Sequence, residues 1–335
     1  AQDMQIRDVK ALMSFNEISL EQNTYRKQIN SLYGSVNLGW KHLMYVDATL
    51  RGDQSSTLPT NNNVYVYPSF SGSFVFSELT KLGNLLPYGK LRMSWAQVGS
   101  DTDPYQLGLV YTKSKFTYPG YTIGYINNST IPNKDLKPTR RNSFEIGLET
   151  KFLNNRMGLD ITYYSQKSKN QIMGMASSWT SGYTYRLINA GEIDNKGVEI
   201  ALNTRPIQTK DFSWDLNLNF SKNSNKVRRL VDDMDMFELE KASWLDVQVA
   251  AKVGENFGSI VGPDFKRNNA GQILIDPSTG LPEYDKSNHV LGNASWKWTG
   301  GITTTLTYKN LSLNAIFDVK VGADLYSMSA RASYE

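Results

Sequence analysis

The segment FEIGLETKF, residues 144–152, alternates apolar and polar side chains with a period of two. Its even-numbered positions hold Phe, Ile, Leu, Thr and Phe, whereas its odd-numbered positions hold Glu, Gly, Glu and Lys. An Asn-Asn pair at 154–155 favours a turn, and MGLDITYY at 157–164 then resumes the alternation with Met, Leu, Ile and Tyr on one side. The segment therefore predicts an antiparallel β-hairpin with one apolar face and one more polar face.

Ten stretches of the chain show this strand pattern, and the links between them are alternately short and long. Consecutive antiparallel strands place alternate links at opposite ends of a sheet, so we expect one end with tight turns and one elaborated end. The short links are 39–41, 77–89, 153–156, 205–211 and 309–310, and the long links are 52–68, 99–142, 166–196 and 222–299.

This asymmetry of the links is typical of an outer-membrane β-barrel, which has short periplasmic turns and long extracellular loops. Strands of about ten residues match a tilted membrane-spanning strand, whereas sandwich strands usually have about five or six. A secreted β-sandwich with an adhesin or glycan-binding role would show the same alternation and is one alternative. Because an open sheet would leave unpaired backbone groups in hydrocarbon, we expect the strands to close a small barrel or to belong to a larger one.

Composition excludes several functional classes. The chain has no cysteine and two histidines, His42 and His289, which leaves little material for disulfides, metal sites or nucleophilic catalysis. A net charge of +4 is too small for a nucleic-acid footprint. We therefore expect no enzyme activity, no catalytic residue, no metal, no cofactor and no nucleic-acid partner.

The two ends of the chain do not resemble the ends of a barrel protein. The first residues lack the basic start and apolar core of a signal peptide, and the last residues do not alternate like a strand. Residues 1–335 are therefore expected to form one partial β-barrel domain of a longer protein.

Several segments resemble the SusC/RagA type of TonB-dependent outer-membrane transporter found in Bacteroidetes. Each segment is weak alone, but their order and spacing cover nearly the whole chain and make the resemblance specific. The segments are YRKQINSLYG (25–34), YPSFSGSFVFSEL (67–79), GKLRMSWAQVG (89–99), LKP (136–138), FEIGLE (144–149), YYSQKSKNQI (163–172) and NKGVEI (195–200).

The resemblance implies a large antiparallel transmembrane barrel of about 22 strands, of which this chain supplies about ten. It implies active import of oligosaccharides or oligopeptides through the outer membrane, under a SusD-like surface lipoprotein. Energy would come from TonB-ExbB-ExbD through a plug domain, and this plug and the C-terminal strands are expected to be absent from the chain. A passive outer-membrane porin is the second alternative, and the choice between glycan and peptide stays open.

Aromatic residues in the long links are candidates for contact with a substrate or with the SusD-like surface lipoprotein. Their rings can stack on sugars or pack against a partner, and they can equally form a small core within each loop. The candidates are Tyr105, Tyr111, Tyr118, Tyr121, Trp179, Trp244, Tyr284 and Trp296.

The polar face of the strands is expected to line the barrel lumen. Charged groups there can hydrogen-bond a plug or conduct a polar solute, and the sequence leaves both roles open. The turns at 154–155 and 309–310 are expected to face the periplasm. The lumen-facing candidates are Asp47, Arg51, Glu145, Glu149, Asp160 and Asp215.

Overall fold

The computed structural model describes residues 2–4, 15–17, 24–80, 83–109, 111–113, 121, 123–126, 130–231, 234–241 and 246–333. The strands are β1 (Gln2–Met4), β2 (Phe15–Glu17), β3 (Ile29–Trp40), β4 (Met44–Ser55), β5 (Val64–Phe74), β6 (Tyr88–Ser100), β7 (Tyr111–Lys113), β8 (Gly124–Ile126), β9 (Thr130–Ile131), β10 (Thr139–Phe152), β11 (Met157–Ala176), β12 (Tyr185–Gln208), β13 (Phe212–Arg229), β14 (Met236–Lys241), β15 (Gln248–Lys252), β16 (Ser259–Phe265), β17 (Tyr284–Asn293), β18 (Trp298–Tyr308) and β19 (Leu311–Val321). The helices are α1 (Ser77–Thr80) and α2 (Met328–Ala332), with a 3-10 helix at Trp179–Ser181. Among the described residues, none of the helices could span a membrane.

Ten of these strands form one antiparallel meander, in the order β3, β4, β5, β6, β10, β11, β12, β13, β18 and β19. Each strand pairs with the one that precedes it in this order, and β9 joins the same sheet by a short parallel pairing with β12. Strands β1 and β2 pair with each other, as do β7 and β8. The meander confirms the predicted all-β fold and its ten antiparallel strands.

The register of the meander puts the apolar side chains of neighbouring strands on one common face, called here the outward face. Leu148, Ile161 and Ile200 are successive cross-strand partners, and so are Leu202 and Leu218 on the next pair of strands. These side chains are only half-buried, and a strand that faces lipid needs no protein layer over it. A broad apolar sheet face of this kind is suited to hydrocarbon rather than water. The opposite face is called the inward face.

The tight end of the sheet is built by residues that tolerate the left-handed backbone region. Leu153, Asn154 and Asn155 have φ of 52°, 57° and 64°, and Lys309 has φ of 53°. Asparagine adopts this region more readily than most residues, which explains the Asn-Asn pair in the first turn. The link 77–89 is less tight than these turns, since it contains α1.

Two of the long links are much shorter in the structure than predicted. Strands β11 and β12 continue through most of 166–196 and leave only 177–184 between them, and the link predicted at 52–68 shrinks to 56–63. The expected strand length of about ten is likewise wrong for β11, β12 and β13, which have 20, 24 and 18 residues. The extensions of β11 and β12 carry both apolar and polar residues on each face, and the extension of β13 is polar apart from Val227. The period-two signal therefore fades although the backbone pairing continues.

The longest link, between β13 and β18, contains its own four-stranded antiparallel sheet of β14, β15, β16 and β17. A hairpin projects from this sheet between β16 and β17, and the Lys266 amide donates to the Glu283 carbonyl at its base at 2.9 Å. Two apolar clusters also lie at the elaborated end of the meander. They are Leu58, Tyr65, Leu136 and Leu187 in the first, and Val227, Leu230 and Ala251 in the second.

Candidate functional site

The inward face of the meander carries all six of the charged residues that the sequence singled out for the lumen. Cross-strand pairing sets Asp47 opposite Ser71, and Glu149 opposite Asp160. Side chains that share this parity share a face, so the alternation read from the sequence is the alternation of the sheet. The six residues are Asp47, Arg51, Glu145, Glu149, Asp160 and Asp215.

Arg92 makes the most extensive polar contacts on the inward face. Its Nη1 and Nη2 donate to the two carboxylate oxygens of Asp160, each at 2.7 Å, and Nη2 also donates to Thr162 Oγ1 at 2.5 Å. Lys90 Nζ lies 3.1 Å from the Glu149 carboxylate, which is 3.9 Å from Arg92. A two-point bond between guanidinium and carboxylate holds both groups in one plane. Four charged side chains and the Thr162 hydroxyl thus form one group across β6, β10 and β11.

Gly147 lets Arg92 reach across the strand that separates it from Asp160. The register sets Gly147 of β10 between Arg92 of β6 and Thr162 of β11. A Cβ atom at position 147 would lie 2.5 Å from Arg92 Nε, closer than such atoms approach. Glycine is therefore needed at position 147 so that the Arg92 side chain can cross β10. The backbone of Gly147 itself has ordinary strand geometry.

A second polar group lies nearer the elaborated end and surrounds Asp53, which is 5% exposed. Arg51 Nε donates to one Asp53 oxygen at 2.9 Å, and the Tyr67 hydroxyl donates to the other. Arg51 also donates to the Ser31 hydroxyl at 3.1 Å. A buried carboxylate needs such partners, since an unpaired charge is costly out of water.

Sequence reasoning found Glu149 and Asp160 of the first group and Arg51 of the second. It missed Lys90 and Arg92 of the first group and the central Asp53 of the second. Lys90 and Arg92 alternate with Leu91 and Met93 in β6, so the period-two rule was sufficient to place both cations on the inward face. Arg205, whose Nε donates to Asp215 at 2.6 Å, stands in a part of β12 where the alternation is interrupted. No pattern in the sequence pointed to it.

Asp101 fastens three segments together at the elaborated end. It follows β6 directly, and its carboxylate accepts from Lys27 Nζ at 2.6 Å, from Thr57 Oγ1 at 3.1 Å and from the Ser55 hydroxyl. Burial alone would raise the pKa of Asp101, but these hydrogen bonds and the Lys27 charge outweigh burial and hold its pKa below the ordinary value of 3.8. The carboxylate thus joins the start of β3 and the link after β4 to the base of the next long link.

Replacing Asp101 by Asn should loosen this end of the sheet. The amide cannot form the ion pair with Lys27, and hydrogen bonds to a charged group typically contribute about 1.5–3 kcal/mol. Limited proteolysis of the full-length protein in membranes should show severalfold faster cleavage within 101–138. Asp103→Asn is the matched control, because Asp103 is exposed and neighbours the same site. Equal cleavage of both variants would rule out the fastening role.

The same contact predicts a dependence on pH. Because the pKa of Asp101 is lower in the folded protein than its ordinary value of 3.8, its stabilising contribution is complete above pH 3.8. The contribution is lost as pH falls through the lower folded value. Acid proteolysis of the unmodified protein should therefore approach the cleavage pattern of Asp101→Asn, while the pattern of that variant changes less over the same interval.

The aromatic candidates described by the structure lie in the links of the elaborated end. Tyr105 is 58% exposed and its hydroxyl accepts from the Arg26 amide at 3.0 Å. Tyr111 and Tyr121 are more than 70% exposed, with values of 77% and 72%. Exposed rings at one end of a sheet are accessible to a large ligand or a protein partner.

Two further candidates lie in or beside the sheet of the longest link. The Tyr284 ring packs against Phe265 with 4.9 Å between centroids, so part of it serves the core of its own loop. Trp296 is about half exposed just before β18. Tyr118 and Trp244 lie outside the described residues, and Trp179 begins the 3-10 helix while its side chain also lies outside them.

Comparison of this sequence with known proteins finds TonB-dependent receptors. Residues 5–236 match the family model described as TonB dependent receptor-like, beta-barrel. The chain is 29% identical over 329 residues to TonB-dependent receptor P26 of Formosa agariphila, covering 92% of this chain and 33% of that receptor. It is 28% identical over 338 residues to TonB-dependent receptor SusC of Bacteroides thetaiotaomicron, covering 93% of this chain and 34% of SusC.

The structure of the RagAB peptide transporter superposes on the chain with a TM-score of 0.79 at 22% sequence identity, covering 95% of this chain and 36% of the other. This likeness shows a common fold. The chain spans about a third of the length of the curated relatives it matches.

The family match covers well over half of the chain, and the meander with its apolar outward face is the barrel wall that such a family requires. The resemblance to SusC and RagA read from the sequence is confirmed by the relatives and by the fold. The chain belongs to the TonB-dependent receptor β-barrel family and is an outer-membrane protein that resembles SusC in sequence and the RagAB transporter in fold.

Proposed function

We propose that this chain forms part of the wall and loops of a TonB-dependent importer that takes up oligosaccharides or oligopeptides. The observation that carries the proposal is a ten-stranded meander with an apolar outward face and a charged inward face, in a chain of this family. Such a sheet separates a polar lumen from lipid. Its work is transport of an unmodified solute, without catalysis.

We further propose that the tight end faces the periplasm and the elaborated end faces the exterior. Outer-membrane barrels place short turns inside and long loops outside. The four-stranded sheet of β14–β17 and the exposed rings of Tyr105, Tyr111 and Tyr121 would then stand at the outer mouth. There they would meet the substrate and a SusD-like lipoprotein, which the likeness to SusC and RagAB supports.

Most charges of the inward face are already paired, which suits a wall more than a binding site. Arg92 with Asp160 and Lys90 with Glu149 neutralise each other locally. Glu145 forms no ion pair within the described part of the chain and lines, with Asp47 and Arg92, a groove of about 240 Å³. We propose that this groove contacts the plug domain or a passing polar solute.

The domain proposal follows from the same geometry. Strands β3 and β19 end the meander, and no strand among the described residues pairs with their outer edges. An unpaired edge is costly in hydrocarbon. We propose that residues 1–335 are one partial barrel domain, closed in the longer protein by further strands and filled by a plug. TonB-ExbB-ExbD would act through that plug.

The proposal is tested by uptake into cells that carry the full-length protein. Fluorescent oligopeptides and oligosaccharides of matched size should be compared in cells with and without functional TonB. Uptake of one class that requires TonB supports the proposal. Equal uptake in both strains would favour the passive porin, and no uptake of either class would reject both substrate classes.

The sandwich alternative does not survive the structure. The ten strands form one sheet, and the fold is similar to that of the RagAB peptide transporter. The alternation that a sandwich would share comes instead from a wall between lipid and lumen.

A further inference from the structure

Basic side chains collect on the outward face where the apolar band ends. On β12 and β13 the last apolar residues of this band are Val198 and Phe220. The outward residues two positions nearer the elaborated end are Lys196 and Lys222. Four adjacent strands share this pattern. The basic patch consists of Arg140 on β10, Lys167 and Lys169 on β11, Lys196 on β12, and Lys222, Lys226 and Arg228 on β13, all exposed.

Three lysines of the basic patch surround one point. Lys196 is directly opposite Ser165 on one side and Ser224 on the other. Lys222 and Lys226 lie two residues before and after Ser224, so both are diagonal neighbours of Lys196 at about 7–8 Å. Three flexible ammonium groups and two hydroxyl donors can therefore converge between β11 and β13.

The acidic residues of this surface are occupied by the other cations. Asp194 Oδ2 accepts from Arg228 Nε at 2.8 Å, and Glu192 lies 2.9 Å from Lys167 and 3.6 Å from Lys169. Asp194 is also the cross-strand partner of Lys226, but the two form no ion pair. Within the described residues, none of Lys196, Lys222 and Lys226 has an ion-pair partner, and their positive charge is available to a ligand.

A pair of aromatic side chains at the height of the three lysines indicates the membrane boundary. The rings of Phe220 and Trp298 lie 5.7 Å apart on the outward face, where Trp298 borders the last apolar residues of β13. Aromatic side chains form girdles at the interface between hydrocarbon and head groups. The three lysines thus stand at head-group height, with their stems over Val198 and Phe220.

The positive charge is confined to one sector of the wall. Strands β3, β4, β5 and β6 carry no cation at the outward positions near their elaborated ends, where the residues are Asn30, Gln54, Val64 and Gln97. A general preference for lysine at the interface would distribute cations over all strands. The concentration on β10–β13 instead resembles a site for a single anionic group.

We propose that Lys196, Lys222 and Lys226, with Ser165 and Ser224, bind the phosphate group of an anionic lipid in the outer leaflet. Trivalent positive charge and hydroxyl donors match a phosphate, and the adjacent apolar band accommodates acyl chains. A free phosphate ion would gain nothing from that band. This inference rests on the orientation given under the proposed function, since it needs the elaborated end to face outward.

The test compares lipid binding by the purified full-length transporter and its Lys196→Gln/Lys222→Gln/Lys226→Gln variant. Native mass spectrometry in detergent should be used with added dioleoyl phosphatidic acid. Loss of three surface lysines is expected to weaken this binding roughly 10- to 100-fold. Dioleoyl phosphatidylcholine, whose phosphate is neutralised by choline, should bind weakly to both proteins.

The matched control is Lys134→Gln/Lys286→Gln/Lys320→Gln, which removes the same charge from exposed lysines outside the basic patch. It should bind phosphatidic acid like the unmodified protein. Equal binding by the three-lysine variant would overturn the site, and inorganic phosphate that competes as well as the lipid would overturn the lipid assignment. Retained heat-resistant mobility on gels verifies that each variant is folded.

Failure of this inference and failure of the proposed transport are distinguishable. Lipid binding is measured on purified protein without TonB, whereas transport is measured in cells. Cells carrying full-length Lys286→Cys, labelled by a membrane-impermeant maleimide, report the orientation by itself. Residues 1–335 contain no other cysteine, and cells with the unmodified full-length protein give the background labelling. Labelling only after lysis would place the elaborated end in the periplasm and remove the outer-leaflet assignment.

Discussion

Replacing Ile200 by Arg should lower the free energy of unfolding of the full-length barrel by about 2–4 kcal/mol. Ile200 lies on the outward face of β12 between its cross-strand partners Ile161 and Phe220, near the middle of the apolar band. A guanidinium at this depth must enter hydrocarbon or deform the bilayer to reach water. Guanidinium titration of protein folded into lipid vesicles, followed by tryptophan fluorescence, measures the loss.

The neighbouring residue provides the control for this prediction. Ala201 lies on the inward face between Asp160 and Asn219, so Ala201→Arg introduces the same side chain into polar surroundings next to a carboxylate. Its cost should stay below about 1 kcal/mol, as for surface substitutions generally. If both substitutions cost the same, or if Ala201→Arg costs more, the two faces have been assigned to the wrong environments.

The second large effect is expected from Gly147→Ala, although the change adds a single methyl group. The new Cβ would overlap Arg92 Nε, so the guanidinium must leave its two-point bond with Asp160. Hydrogen bonds to charged groups contribute about 1.5–3 kcal/mol, and partial exposure of this pair reduces the expected loss to about 1–2 kcal/mol. The same unfolding titration measures it.

A double-mutant cycle with Arg92→Ala separates this mechanism from a general effect of alanine in the strand. Once Arg92 is gone, Gly147→Ala should cost nothing or stabilise slightly, because alanine restricts the unfolded chain. Gly158→Ala is the positional control, since Gly158 shares the inward face and a Cβ added there would meet only two carbonyl oxygens, each at an ordinary contact distance of 3.9 Å. Persistence of the Gly147 cost without Arg92 would refute the crossing role of the glycine.

The faces of the wall were predictable because the repeat of two is a property of the extended backbone. Once Phe144, Ile146 and Leu148 define one face, every residue between them lies on the other. The same rule correctly placed Asp47, Asp160 and Asp215 on one face, though they come from three different strands. Alternate short and long links are equally local, since they require only that consecutive strands pair.

The elaborated end was much less predictable. The extensions of β11 and β12 mix apolar and polar residues on each face, and that of β13 is almost entirely polar, so pairing continues without the pattern that reveals it. The four-stranded sheet within 222–299 is held by small apolar clusters such as Val227, Leu230 and Ala251, which are scattered in sequence. Contacts of this kind depend on how the link folds back, and no short window of sequence contains them.

By itself, the sequence determined that this protein is a wall of antiparallel strands with one apolar and one charged face, because local alternation sets the direction of each side chain. Only the tertiary structure decided which charges meet. Arg92 reaches Asp160, 68 residues away, past Gly147. Lys196 is a diagonal neighbour of Lys222 and Lys226 because the register of two strands sets it opposite Ser224. Register depends on the pairing of whole strands, and that pairing is a property of the folded sheet.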